Sequence, residues 1–137
     1  IIGPGSLYTS ILPNLLVADL AQAIRTSKAV KFYVCNVATQ RGETDHYSCG
    51  DHIRKIEANV GEGLFDLVIC NHQFDYPLPS GVQWVQPEHN LQEQYPVYYS
   101  DLVDAENPWR HNSRHLAQVV LDLYYERTGP LTGKDDQ

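Results

Sequence analysis

"AVKFYVCNV", residues 29–37, is a nearly continuous run of β-branched and aromatic residues that ends on the polar Asn36 and one more valine. It lacks the alternation that marks a solvated face, so it predicts a strand buried on both sides, as in a parallel sheet covered by helices. "LFDLVICN", residues 64–71, repeats the scheme, again with an asparagine where the apolar run stops. The segment between them reads as a helix. Ser48 is a good N-cap with Asp51 three residues on, Ile53 and Ile56 point inward, and Gly61 ends the helix near Val60. Two such strands joined through a helix make a βαβ unit, for which a right-handed crossover is expected.

Working outward, Ser6–Leu12 suits a short helix that Pro13 interrupts, and Ala18–Thr26 suits a second helix with Leu20, Ala21 and Ile24 on its apolar face. Ile1 and Ile2, followed at once by "GPG", read as the last two residues of a strand whose beginning is missing, so a fragment of a larger domain is expected. From Gln73 to Asn107 periodicity is lost and most of the prolines occur, although "VQWV" and "YPVYYSDLVD" each suit a short strand toward the sheet edge. "NSRHLAQVVLDLYYERTG" restores helical order, with Leu116, Val119, Val120, Leu123 and Tyr124 on one stripe and Gly129 as C-cap. Residues 1–130 are therefore expected to form one α/β domain, and residues 131–137 a polar tail.

Bulk properties bound the function. A chain of 137 residues has room for one ordinary core, and no apolar run approaches the roughly 20 residues of a membrane span. The formal net charge of -7 argues against a nucleic-acid-binding surface, although Arg110 and Arg114 could still meet a phosphate. Cys35, Cys49 and Cys70 are odd in number, without a CxxC spacing, and predict free thiols in a reducing cytoplasm.

In an open α/β sheet, ligands gather outside the carboxyl ends of the strands. Three polar segments are expected there: Gly3–Ser10, Asn36–His46 and Asn71–Asp75. "GPGSLYTS" combines glycines with Ser6, Thr9 and Ser10 ahead of a helix, which suits a phosphate and equally suits a tight turn with a capping serine. "TQRGETDHY" could set Glu43, Asp45 and His46 around a sugar or as an acid-base group, or it is a solvated loop. His111 and His115 have a metal-compatible spacing but lack an HExxH pattern or a nearby cysteine, so no metal site is expected. Arg110 near a helix start calls for an anion or full solvation.

Taken in order, "GPGSLYTSILPNLLV", "YVCNVATQRGETDHYS", "DHI" and "DLVICN" resemble the second half of the gluconeogenesis factor family, nucleotide-sugar-binding relatives of 2-phospho-L-lactate transferase. "WRHNSRHLAQVV" is similar to the family's closing Arg-His helix. The resemblance implies a three-layer α/β/α fold with a mainly parallel, Rossmann-like sheet, present here as a partial domain that lacks the family's GGGTG loop and N-terminal half. It also implies a ligand such as UDP-N-acetylglucosamine or another phosphorylated small molecule, and a role in carbon metabolism, cell-wall formation and cell shape.

Carried onto this chain, the resemblance places Gly3, Gly5, Ser6, Leu7, Tyr8 and Thr9 beside the ligand's phosphates. Asn36, Thr39, Gln40, Gly42, Glu43 and Thr44 would line the same cleft, and Arg110 would pair with the diphosphate. Ala18-Asp19 stands where the family commonly has Pro-Gly, and Cys49-Gly50 where it has two alanines; both read as helix-start variation. "SLYTSILPNLL" is similar to the regulatory branch, which favours binding over catalysis and requires no cofactor. Two alternatives stand beside it: a phospholactyl or nucleotidyl transferase using Mg2+ with catalytic groups from the missing half, and a noncatalytic interaction module. Expected partners are that N-terminal half and a second copy of the chain, with neither nucleic acid nor membrane.

Overall fold

The structure, a computed structural model, describes residues 1–129. The expected tail at 131–137 lies outside the described residues. Three strands, β1 (Phe32–Val34), β2 (Leu67–Asn71) and β3 (Val97–Ser100), form one parallel sheet in the order β1-β2-β3. Ile2 adds a parallel bridge on the free side of β1: its N–H donates to the Phe32 carbonyl at 2.8 Å and its carbonyl accepts from the Val34 N–H at 2.9 Å.

Helices cover both faces. A π-helical turn at Leu7–Ile11 leads into α1 (Leu12–Leu15) and α2 (Ala18–Thr26), and α3 (Cys49–Val60) joins β1 to β2. The short α4 (Leu91–Gln94) precedes β3, and α5 (Ser113–Thr128) closes the fold. Tyr33, Cys35, Val68 and Cys70 face one core with Leu7, Leu12, Leu15, Ile53 and Ile56. Phe32, Val34, Leu67 and Ile69 face the other, under Val119 and Leu123 of α5. Alternate residues of β1 thus serve opposite cores, which is why its sequence is apolar throughout. The chain is a three-layer α/β/α unit, as expected.

Several boundaries differ from the sequence reading. The strand expected over residues 29–37 narrows to Phe32–Val34, because the chain then leaves the sheet: the Val37 carbonyl accepts from the Val85 N–H of a distant loop. The strand expected from Leu64 starts at Leu67, with Asp66 instead capping the Lys31 N–H at 2.7 Å. "VQWV" supplies only one antiparallel bridge, Ala38 to Trp84, whereas "YPVYYSDLVD" does supply the edge strand β3. Pro13 does not interrupt a helix. It lies in the first turn of α1, where its missing N–H costs nothing. Tyr124 falls outside the α5 stripe and is 37% exposed, while Leu116 and Val120 do pack inward.

The helix α3 begins as expected, with reciprocal Ser48 and Asp51 hydrogen bonds. A third group joins them from far along the chain. Glu88 accepts from the Ser48 hydroxyl and from the Gly50 N–H at 2.9 Å, and pairs with Arg54 at 2.6 Å. A Cβ at position 50 would stand 2.6 Å from both Arg54 Nη1 and Glu88 Oε2, so glycine is what lets this carboxylate reach the helix start.

Gly3 is under a stricter demand. Its φ is +73°, and a Cβ there would lie 2.7 Å from the Val34 carbonyl oxygen, a rigid backbone atom. Gly42, at φ +81°, has open space around it. Gly3→Ala is therefore expected to cost about 2–3 kcal/mol, from left-handed strain plus a clash, against about 1 kcal/mol for Gly42→Ala. Urea denaturation of both variants checks this, and equal midpoints would contradict the close approach.

Candidate functional site

A cleft of about 650 Å³ opens at the carboxyl ends of Ile2 and β1. One wall is the glycine loop, Pro4 to Ser6, and the floor is the chain leaving β1, Asn36 to Gln40. The start of α5 and the turn before it supply the far wall, with Trp109, Arg110, His111 and Ser113. Of the residues expected at the site, Gly5, Ser6, Asn36, Thr39, Gln40 and Arg110 line this cleft together.

The others sit differently. The Leu7 side chain is fully buried in the core, and the Tyr8 hydroxyl bonds Tyr47 at 2.6 Å, under Lys55 of α3. Gly3 lines a separate hollow beside α2, and Gly42 another beside Arg41 and Gly81. Thr44 is fully buried and accepts from the Gln40 N–H at 2.9 Å, closing the turn. Thr9 and Glu43 reach the cleft only through Ser6. Asn71, the second strand-ending asparagine, is buried and tied to Gln73 and Leu102.

Hydrogen-bond inventory decides what the glycine loop can do. Asn36 Oδ1 accepts from the Gly5 N–H at 3.1 Å, and Asn36 Nδ2 donates to the Gly5 carbonyl at 3.0 Å. A serine hydroxyl offers one donor and two acceptor sites. Ser6 gives its proton to Glu43 Oε2 at 2.7 Å, and accepts from the Thr9 N–H at 3.1 Å and the Thr9 hydroxyl at 2.6 Å. The N–H groups of Ser10 and Ile11 both go to the Ser6 carbonyl. The N–H groups of Ser6, Leu7 and Tyr8 have no acceptor among the described residues, but the Gly5 N–H, the Ser6 hydroxyl and the Thr9 N–H, all expected near a phosphate, are engaged within the loop.

Charge points the same way. A phosphate charge about 4 Å from the Glu43 carboxylate would be repelled by about 4 kcal/mol at an effective dielectric of ~20. One charge-assisted hydrogen bond returns only about 1.5–3 kcal/mol. Across the cleft the balance reverses. The Arg110 guanidinium is exposed and forms no ion pair or side-chain hydrogen bond among the described residues. An anion in this cleft is therefore better placed against Arg110.

His111 and His115 do not converge. The His111 Nε2–H donates to the Cys35 carbonyl at 3.0 Å, whereas His115 Nε2 faces the Ser100 hydroxyl at 3.3 Å. Burial pushes the His111 pKa below its ordinary value of 6.5, outweighing the Cys35 carbonyl that would raise it. His52, on the far core, is fully buried with its Nδ1 on the Ser48 carbonyl at 2.8 Å; His72 and His89 are exposed. The three cysteines are free and buried. Among the described residues no single helix is long and apolar enough to cross a membrane.

Trp109, His111 and Ser113 as cleft residues were not legible as such. Trp109 falls just past the aperiodic stretch, between it and the closing helix, and His111 reads in sequence as half of a metal-spaced pair. Their shared signal is proximity to Arg110 at a helix start.

These layers and this cleft define a Rossmann-like α/β domain open at the carboxyl ends of its strands. The chain belongs to the 2-phospho-L-lactate transferase CofD family, whose model matches residues 1–107. It is 42% identical over 131 residues to the "Gluconeogenesis factor" of Listeria innocua, covering 90% of this chain and 40% of that protein. It is 34% identical over 141 residues to the "Gluconeogenesis factor" of Bacillus subtilis, covering 92% of this chain and 43% of that protein. A crystal structure of a UPF0052-family protein from Bacillus halodurans superposes with a TM-score of 0.76 at 34% identity, over 88% of this chain and 41% of that one. The chain thus spans 40–43% of the length of these relatives.

A buried histidine held neutral makes stability depend on pH. The unfolded chain takes up the His111 proton as pH falls through about 6.5, and the folded chain only at lower pH, so this contribution is complete above 6.5 and declines below it. Replacing His111 with glutamine, which still donates to Cys35, is expected to reduce the loss of stability between pH 6.5 and the lower folded value. Urea midpoints across that range for both proteins check it; parallel curves would contradict it.

Proposed function

We propose that the chain is the ligand-binding part of a nucleotide-sugar-responsive regulator of carbon metabolism and cell-wall formation, acting in the cytoplasm, with UDP-N-acetylglucosamine as the representative ligand. The observation that carries this reading is Arg110. It is an arginine without an ion pair among the described residues, beside an uncharged histidine, at the mouth of a 650 Å³ cleft. A diphosphate gives such a guanidinium two oxygens to engage in parallel. The rest of the lining is uncharged, with polar Ser6, Asn36, Thr39 and Gln40 among apolar Val37, Val82, Trp109 and Leu116, which suits a sugar or base. The relatives' name, gluconeogenesis factor, supports a regulatory role in carbon flow.

The family match favours a second reading, a phospholactyl-type transferase that uses a divalent metal. Among the described residues, no group of three or more His, Cys, Asp or Glu side chains could hold such an ion, which leaves any metal ligands to chain beyond them. Metal-dependent turnover of a phospholactyl donor by the full-length protein would select it.

UDP-N-acetylglucosamine at ~100 times its Kd is expected to stabilise the full-length protein by about 2.7 kcal/mol, seen as a rise of several degrees in melting temperature. Arg110→Ala is expected to remove most of that rise while leaving the unliganded melting temperature within about a degree, as for an exposed side chain. No rise in the wild-type protein would sink the reading.

A further inference from the structure

The cleft carries unlike chemistry at its two ends. At one end stands the Arg110 guanidinium; at the other the Ser6 hydroxyl lines the wall, and the Glu43 carboxylate stands behind it, accepting its proton at 2.7 Å without itself lining the cleft. Glu43 forms no ion pair among the described residues. It is also not the sole acceptor on its side. Gln40 belongs to the same turn, its carbonyl accepting from the Glu43 N–H at 3.0 Å, and it lines the cleft. Its side-chain oxygen Oε1 is buried with no hydrogen-bond partner among the described residues. That oxygen is closed off from the cleft, so Ser6 is the group on this side that a ligand meets.

We infer that Glu43 is a specificity-determining residue that acts through Ser6, its charge keeping the ligand's phosphates off the glycine loop so that the Ser6 hydroxyl meets a neutral sugar there while Arg110 holds the diphosphate. The inference rests on the nucleotide-sugar reading above and adds a direction and a reason for selectivity. A free nucleoside diphosphate, with its terminal phosphate against the Ser6 wall that Glu43 backs, is disfavoured; the same diphosphate carrying a sugar presents hydroxyls to Ser6 instead. Ser6 is the adaptable part of this arrangement. Its hydroxyl proton can leave Glu43 for the ligand, while its acceptor sites stay filled by Thr9. Repulsion of the wrong ligand comes from the Glu43 carboxylate and attraction of the right one from the Ser6 hydroxyl in front of it, a common route to discrimination.

The test compares UDP and UDP-N-acetylglucosamine by titration calorimetry on the full-length wild-type protein, Glu43→Gln and Arg110→Ala. Glutamine keeps an acceptor for Ser6 and so preserves the loop, but it loses the charge. The wild type is expected to prefer UDP-N-acetylglucosamine, and Glu43→Gln to cut the ratio of the two dissociation constants at least tenfold. Arg110→Ala is expected to weaken both ligands together and leave the ratio unchanged. An unaltered ratio in Glu43→Gln, with Arg110→Ala still weakening both, would overturn the role of Glu43 and leave the nucleotide-sugar reading standing. A wild-type protein that binds neither ligand would overturn both.

Discussion

Two hydrogen bonds between one side chain and one peptide group organise the ligand end of this domain. Asn36 stands just past β1, is almost fully buried, and grips both the N–H and the carbonyl of Gly5. The loop it grips has left the sheet edge three residues before Gly5, at Ile2, and has passed Val34 so closely that only glycine fits at position 3. The glycine loop is therefore fastened to the sheet at Ile2, whose carbonyl accepts from the Val34 N–H, and again at Asn36. An amide is the side chain that can donate and accept in this way, and a buried amide left half-satisfied would cost as much as the pair contributes.

That fastening changes the chemistry expected of the loop. The Gly5 and Thr9 N–H groups are spent on Asn36 and Ser6, and the charge that backs the loop is the carboxylate of Glu43, which repels an anion there. The anion-seeking group lies across the cleft at Arg110, brought there by the turn before α5 and steadied by the bond from His111 to the Cys35 carbonyl, one residue from Asn36. Both walls of the cleft are thus keyed to the same short stretch, Cys35–Asn36, where the chain leaves the sheet.

The sheet, the two strand-ending asparagines, the Ser48 cap and the closing helix were all legible in sequence, because each is decided by neighbours within a few residues. What escaped was decided at long range. Gly50 reads as variation at a helix start until Glu88, thirty-eight residues away, is found bonded to its N–H. The stretch from Gln73 to Pro108 has no period to read, since its order comes from contacts such as Glu88 with Arg54 and Gln83 with Thr39. The candidate site was half legible for the same reason. Gly5, Ser6, Asn36, Thr39, Gln40 and Arg110 could be named, but the engagement of Ser6 with Glu43 and the burial of Leu7 depend on how the loop folds back.

The most direct measurement of this account is amide hydrogen exchange at Gly5 in the unliganded protein, resolved by NMR. The Gly5 N–H lies in a loop, and on local structure alone it would exchange quickly. Its bond to Asn36 requires protection comparable to that of Val34 and Cys35 in and beside β1, opening only when the sheet does. Exchange at the rate of an unprotected loop amide would contradict the claim that Asn36 holds the glycine loop in place.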